Sequence, residues 1–285
     1  MALPNHTPLN YRIWHYTYLT FCFLVFFFLI APLFVILPLS FNAEQYIHFS
    51  SKMLALDPEG FSLRWYEDMI YGTKNPWGLA TKNSLIIAFF ATIGSTILGT
   101  VAALGLSSRH MPYKAAFMAL LISPMIVPLV ITASGLFYFY SQIGIAKSYT
   151  GLILSHAILG TPFVIITVTA TLAGFDNNLT RAAANLGAGP IRTFFKVQMP
   201  LILPGVISGG LFAFITSFDE VVVVLQLADV RQRTIPRQMF SGIREQISPT
   251  ILAVATILVI LSIAILTTVE LLRRRSERLR GVSPS

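Results

Sequence analysis

The sequence predicts an all-α integral membrane protein with six transmembrane helices, and three observations carry that prediction. Of 285 residues, 55% are apolar and only 11% are charged, where a soluble domain carries about 25% charged residues. The mean hydropathy is +0.71. The apolar residues also fall in long unbroken runs, not in stripes of period 2 or 3.6, so lipid is the solvent for most of the chain. A soluble enzyme, a disordered chain and a fibrous protein are excluded.

A helix crossing the hydrocarbon needs about 20 mostly apolar residues. Six stretches meet that length, roughly 18–39, 84–106, 115–140, 151–173, 201–227 and 249–271. The first has a weakly basic start, an apolar core too long for a signal peptide and no small-x-small cleavage site. It is therefore expected to stay as a spanning helix. Six spans place both termini on one side. With the termini inside, Arg12, Arg109, Lys114, Arg181, Arg192, Lys196 and the five tail arginines are cytoplasmic, eleven of the 20 basic residues. Lys52, Arg64, Lys74, Lys82, Lys147, Arg231, Arg233, Arg237 and Arg244 are then outside. The tail cluster Arg273-Arg274-Arg275-Ser276-Glu277-Arg278-Leu279-Arg280 favours termini inside, because basic residues close to a span weigh most. Beside a membrane this cluster reads as a cytoplasmic anchor to lipid and not as a nucleic-acid patch.

No repeat of 20–50 residues and no linker divides the chain, so residues 1–285 read as a single membrane domain with a tail at 272–285. Two outer connections stand out. Residues 41–83 carry Phe61-Ser62-Leu63-Arg64-Trp65-Tyr66-Glu67-Asp68, and residues 228–248 place Pro236 at a helix start with Met239 and Ile243 following. Each is either a short interfacial helix or a polar loop on the membrane surface.

Bond-making chemistry has no visible seat. There is no G-x-x-x-x-G-K-[ST] loop, no H-E-x-x-H pair among His6, His15, His48, His110 and His156, and no G-x-S-x-G elbow. Cys22 is the only cysteine, so neither an intrachain disulfide nor a metal knuckle is available. No catalytic residue, metal or cofactor is therefore expected. The sequons Asn5-His6-Thr7 and Asn178-Leu179-Thr180 would both face the cytoplasm. His156, one turn into the fourth span, is expected to hydrogen-bond between helices.

The most informative segment is 176–200. Asp176 or Asn177 can cap a helix start, and Leu179, Ala182, Ala183 and Leu186 form one apolar face. Gly187 stops that helix, and Ala188-Gly189-Pro190 is a turn with proline suited to the first position of a second helix. There Ile191, Phe194, Phe195 and Met199 form another apolar stripe, Arg192 and Lys196 face away, and Pro200 is expected to end the helix.

The run Arg181-Ala182-Ala183-Ala184-Asn185-Leu186-Gly187, followed by Val197-Gln198-Met199-Pro200, resembles the E-A-A-x-x-L-G…I-x-L-P loop of permease subunits of bacterial binding-protein-dependent ABC importers. The spacing from Gly187 to Pro200 agrees, and the resemblance extends over about 79–271. Arg181 stands where the family has Glu, and Val197 and Met199 replace Ile and Leu. The resemblance implies a type I ABC importer permease fold. It also implies a coupling loop, carried by Arg181, Ala182, Ala183, Leu186, Gly187 and Pro200, that docks in a groove on an ATPase subunit.

Ionisable residues inside a membrane are costly and mark function. Ser217-Phe218-Asp219-Glu220 lies in the fifth stretch, about 27 Å along the helix from Leu201 and toward its outer end. Adjacent residues point about 100° apart, so one acid can line a path while the other caps or pairs with Arg231. The run from Ser217 to Val224, the Ile247-Ser248-Pro249 motif, and the pair Pro124 and Pro128 are similar to the spermidine/putrescine branch of the family. Leu129 replaces the acid that relatives carry after the second proline. A polyamine path would use carboxylates and aromatic faces. Asp219, Glu220, Tyr138 and Tyr140 are the candidates, with an interfacial aromatic belt the alternative for the tyrosines.

The resemblance thus implies a multi-pass permease of the bacterial inner membrane with both termini cytoplasmic, moving polyamines by alternating access. Its partners would be a dimer of ATP-binding subunits, a second permease and a periplasmic substrate-binding protein. Another organic solute, such as an opine or amino-acid derivative, is the alternative cargo. A secondary transporter is the alternative class, and its inverted repeats are not visible.

Overall fold

A computed structural model describes residues 8–72, 77–108, 110–245 and 248–279. The sequon at Asn5, together with Lys74, Arg109, Ile247 and Arg280, lies outside the described residues. Among those described there are helices and no β-strand. The predicted all-α class holds.

Among the described residues four helical stretches are long and apolar enough to cross a bilayer: Leu9–Leu39, Trp77–Ser107, Tyr149–Ala173 and Pro190–Asp219. A bent pair, Lys114–Ile126 with Leu129–Gln142, makes a fifth if counted as one span, and Thr250–Ala264 is a shorter apolar stretch. Each of the six predicted stretches therefore coincides with helix, but two are broken. In the third, Pro128 lacks an N–H and its ring pushes Val127 out of helical geometry. Val127 is extended (φ −69°, ψ 134°) and the two halves bend by 100°. The fifth breaks at Glu220 (φ −72°, ψ 124°), just before the β-branched run Val221-Val222-Val223-Val224.

The chain packs as two compact units. The first comprises residues up to 75 and from 242 onward. Its α1 (Leu9–Leu39) leaves Phe23, Phe26, Phe27 and Phe28 exposed. The connection after α1 holds α2 (Ser51–Leu54) and α3 (Arg64–Tyr71), so a short helix does form at Arg64. Trp65 is buried there, and its indole N–H donates to the Asn42 carbonyl at 2.6 Å. The Thr250 hydroxyl donates to Asp68 at 2.7 Å.

The second unit, residues 76–241, centres on α4 (Trp77–Ser107), α7 (Tyr149–Ala173) and α10 (Met199–Asp219). Apolar burial drives little association in lipid, so helices there associate where small residues admit close backbones. Gly160 of α7 shows this. A Cβ there would lie 2.5 Å from the Ser95 hydroxyl of α4 and 2.8 Å from Ala213 of α10. Polar bonds reinforce the packing, with the Ser95 hydroxyl donating to the Ala157 carbonyl at 3.0 Å. The unit also contains α5 (Lys114–Ile126), α6 (Leu129–Gln142), α8 (Asn177–Asn185), α9 (Pro190–Thr193) and α11 (Val222–Leu227). The two broken spans meet, because Ser134 of α6 donates to the Gln226 side chain of α11 at 2.9 Å. The predicted helix at Pro236 forms as α12 (Ile235–Glu245), and α13 runs Thr250–Leu279.

Candidate functional site

The segment between α7 and α10 is a preformed knob. The Asp176 carboxylate accepts from the Asn178 amide at 2.9 Å and so caps α8. At the other end Gly187 has φ +80°, the left-handed geometry for which glycine carries no Cβ penalty. The Gly187 amide donates to Ala184 at 2.9 Å and the Ala188 amide to Ala183 at 3.0 Å. Those two bonds form a Schellman stop. Pro190 opens α9, as its spacing predicts.

Pro200 does not end the second helix, which corrects the expectation. The helical run continues from Pro190 to Asp219. The turn before the proline widens to a π-helix at Phe194–Gln198, and the Met199 amide reaches back five residues to Phe194. Widening relieves the clash and the missing donor that proline imposes on a regular turn. The knob is therefore a direct extension of α10. Its two apolar stripes also divide. Phe194 and Met199 pack on a core of Ala103, Val164, Val168 and Ile202, whereas Leu186 is 88% and Ile191 75% exposed. Leu179 and Phe195 are exposed with them, and Arg181, Arg192 and Lys196 stand around them. Ala182 and Ala183 lie on α8 between these groups, and a shallow recess runs from Gly189 to Lys196.

At the far end of α10 the two acids diverge. Glu220 is 8% exposed, and its carboxylate accepts from the Val223 amide at 2.9 Å, capping α11. Asp219 is exposed. Neither acid pairs with Arg231 among the described residues. His156 joins α7 to α10 as expected, its Nδ1 lying 2.8 Å from the Ser217 hydroxyl. Tyr138 and Tyr140, two residues apart on one helix, point about 200° apart and are not brought together. Tyr138 is exposed, while Tyr140 is buried with Leu152, Val223 and Val224. Tyr140 is thus a core residue behind the break.

Sequence reasoning missed Asn83, which lies one residue before the predicted second span. It is buried, and its amide donates to the carbonyls of Arg231 at 2.9 Å and Arg233 at 2.8 Å. An uncharged amide at the mouth of an apolar run was the available signal. No group of three or more His, Cys, Asp or Glu able to hold a metal occurs among the described residues.

Residues 95–279 match the family described as the binding-protein-dependent transport system inner membrane component. The chain belongs to that family. It is 32% identical over 256 residues to the spermidine/putrescine transport system permease protein PotC of Haemophilus influenzae, covering 90% of this chain and 96% of the relative. It is 31% identical over 241 residues to the putrescine transport system permease protein PotI of Escherichia coli, covering 82% of each. A crystal structure of a bacterial ABC transporter involved in the import of the acidic polysaccharide alginate matches with a TM-score of 0.72, over 94% of this chain and 99% of the other. At 14% identity that likeness speaks for the fold alone. The family's membership and the apolar helices make this a multi-pass transport component of the inner membrane.

Proposed function

We propose that this chain is the permease subunit of an ATP-driven polyamine importer, working by alternating access with both termini in the cytoplasm. The relatives named for spermidine and putrescine transport support the cargo. The observation that carries the mechanism is the knob, where exposed Ile191 sits on the helical extension of α10 and exposed Leu186 closes α8 just before the turn that leads into it. Apolar side chains presented so prominently at a polar end want a partner surface, and a dimer of ATP-binding subunits is the partner proposed. Closure of that dimer would push the knob, and α10 would carry the push to the acids at its far end. A second permease would complete the path, and a periplasmic substrate-binding protein would load it. The family match runs unbroken from residue 95 in the second unit to residue 279 in the C-terminal part of the first, which supports a single permease domain.

In this reading Asp219 lines the path for a cationic substrate and Glu220 shapes the break beside it. The chain makes and breaks no bonds; hydrolysis belongs to the ATP-binding partner. The test is uptake of labelled putrescine and spermidine by proteoliposomes holding the complete complex, with ATP inside and binding protein outside. ATP-dependent accumulation is expected. Uptake that needs neither ATP nor an ATP-binding subunit would favour a secondary transporter.

A further inference from the structure

The connection that follows α1 carries a strained leucine. Its α2 is one turn long, capped at the start by the Ser50 hydroxyl, which accepts from the Met53 amide at 3.2 Å. At the other end the Leu56 amide donates to the Met53 carbonyl at 3.0 Å and the Asp57 amide to the Lys52 carbonyl at 2.9 Å. This is again a Schellman stop, and it puts Leu56 at the left-handed position that glycine usually fills. Leu56 has φ +56°, a geometry that costs a leucine and not a glycine. No contact within the fold offsets that strain, because the side chain is 80% exposed and that of nearby Leu54 73%.

The turn is nevertheless held firmly. Met53 is buried, and the Gly60 backbone lies so close that a Cβ there would come within 2.8 Å of the Met53 amide nitrogen. The Gly60 carbonyl accepts from the Ala43 amide at 3.1 Å, and the Ser62 amide donates to the Phe41 carbonyl at 2.7 Å. The Ser40 and Tyr66 hydroxyls share a further bond of 2.7 Å. Residues 40–43 directly follow the last residue of α1, so α2 is fastened beside the end of that apolar helix. Its charges are engaged locally. Lys52 pairs with Glu59 at 2.7 Å, and the Asp57 carboxylate accepts from the Glu59 amide at 3.0 Å. Tyr46 and Tyr71 of the same connection are also exposed, and tyrosine favours the headgroup level of a membrane.

We propose that Leu54 and Leu56 are an anchor in the lipid interface, set among the upper acyl chains of the leaflet at which α1 ends. Two apolar side chains on a rigid turn enter lipid with little loss of freedom. Their removal from water offsets the backbone strain at Leu56. Lipid is the occupant because α1, continuous with this turn, already lies in it. The charges of the turn are also engaged within it and offer a protein partner no complement. The anchor fixes the connection 40–72 against the membrane surface. The inference needs α1 to span the bilayer, and it needs neither the cargo nor the orientation proposed above.

The test uses the complete complex in nanodiscs of phosphatidylcholine, read in two ways. In the first, photoreactive p-benzoylphenylalanine is placed at position 56 and illuminated, and its adducts are identified by mass spectrometry. Phospholipid adducts are expected. Adducts to another protein subunit, or none at all, would overturn the anchor. In the second, hydrogen exchange is followed at the amides of residues 53–57. Asparagine tolerates the left-handed position, so the turn can still form in L54N/L56N. Exchange there should nevertheless quicken about tenfold as the lipid cover is lost. L54M/L56M, apolar and similar in volume, should exchange as wild type. Unchanged exchange in the Asn variant would overturn the proposal. Equal acceleration in the Met variant would do the same, since it would mark close packing on protein.

Discussion

The Nδ1 atom of His156 lies 2.8 Å from the Ser217 hydroxyl and 3.1 Å from the Ser217 carbonyl oxygen. Through this contact α7 grips α10 two residues before Asp219, so the end of the helix that carries the acids is anchored to the packed core. His156→Leu removes the grip and leaves the buried Ser217 hydroxyl short of a partner, a loss of about 1–3 kcal/mol. The melting temperature of the purified complex should fall, and uptake should fall with it. A melting curve unchanged from wild type would mean that the contact holds nothing.

The two acids should separate by their surroundings. Asp219→Asn should leave an assembled complex with reduced uptake, more so for spermidine than for putrescine. Glu220→Gln keeps an acceptor oxygen for the Val223 amide and should assemble normally. Glu220→Ala loses the cap of α11, worth about 0.5–2 kcal/mol, and should lower complex yield. Complex yield and uptake measured together decide this. Full uptake in Asp219→Asn would remove that residue from the path, and full yield in Glu220→Ala would contradict the cap.

Gly187 offers a test of backbone geometry free of crowding, since no atom beyond its immediate chain neighbours stands within 4 Å of where its Cβ would be. At φ +80° a valine is strained by about 1–2 kcal/mol, whereas asparagine tolerates the left-handed region. Gly187→Val should bind the ATP-binding subunit poorly and lose coupled uptake, and Gly187→Asn should retain much of both. Normal binding and uptake in Gly187→Val would contradict a role for the elbow.

Orientation has its own readout. A reporter active only in the cytoplasm should work when fused after Ser285 and fail when inserted near Lys147. The reverse pattern would overturn the assignment of the termini.

Composition alone made the membrane class legible, and the knob was legible from local signals at Asp176, Gly187 and Pro190. Those signals act within one turn, which is why they survive without knowledge of tertiary contacts. Pro200 misled because its effect depends on the preceding turn. The π-widened Phe194–Gln198 absorbs the proline, and that widening has no simple sequence mark. The breaks at Val127 and Glu220 were also unread, since apolar runs of the right length hide a change of direction. Pro128 was the available cue for the first. The opposed burial of Tyr138 and Tyr140 follows from helical spacing, yet which of them faces the core depends on Val223 and Val224, far away in the chain. Asn83 is the same case, its partners lying about 150 positions later.

In the proposed mechanism the exposed apolar tip of the knob is where ATP-driven force enters this chain. Burying one such side chain contributes about 1.5–3 kcal/mol, so introducing two carboxylates there should weaken docking by 100-fold or more, at about 1.4 kcal/mol per tenfold. The direct measurement is the amount of ATP-binding subunit that co-purifies with the Leu186→Asp/Ile191→Asp chain, alongside the chain's own level in the membrane. The double variant should reach wild-type abundance and carry almost no ATP-binding subunit. Wild-type amounts of that subunit on the double variant would contradict it.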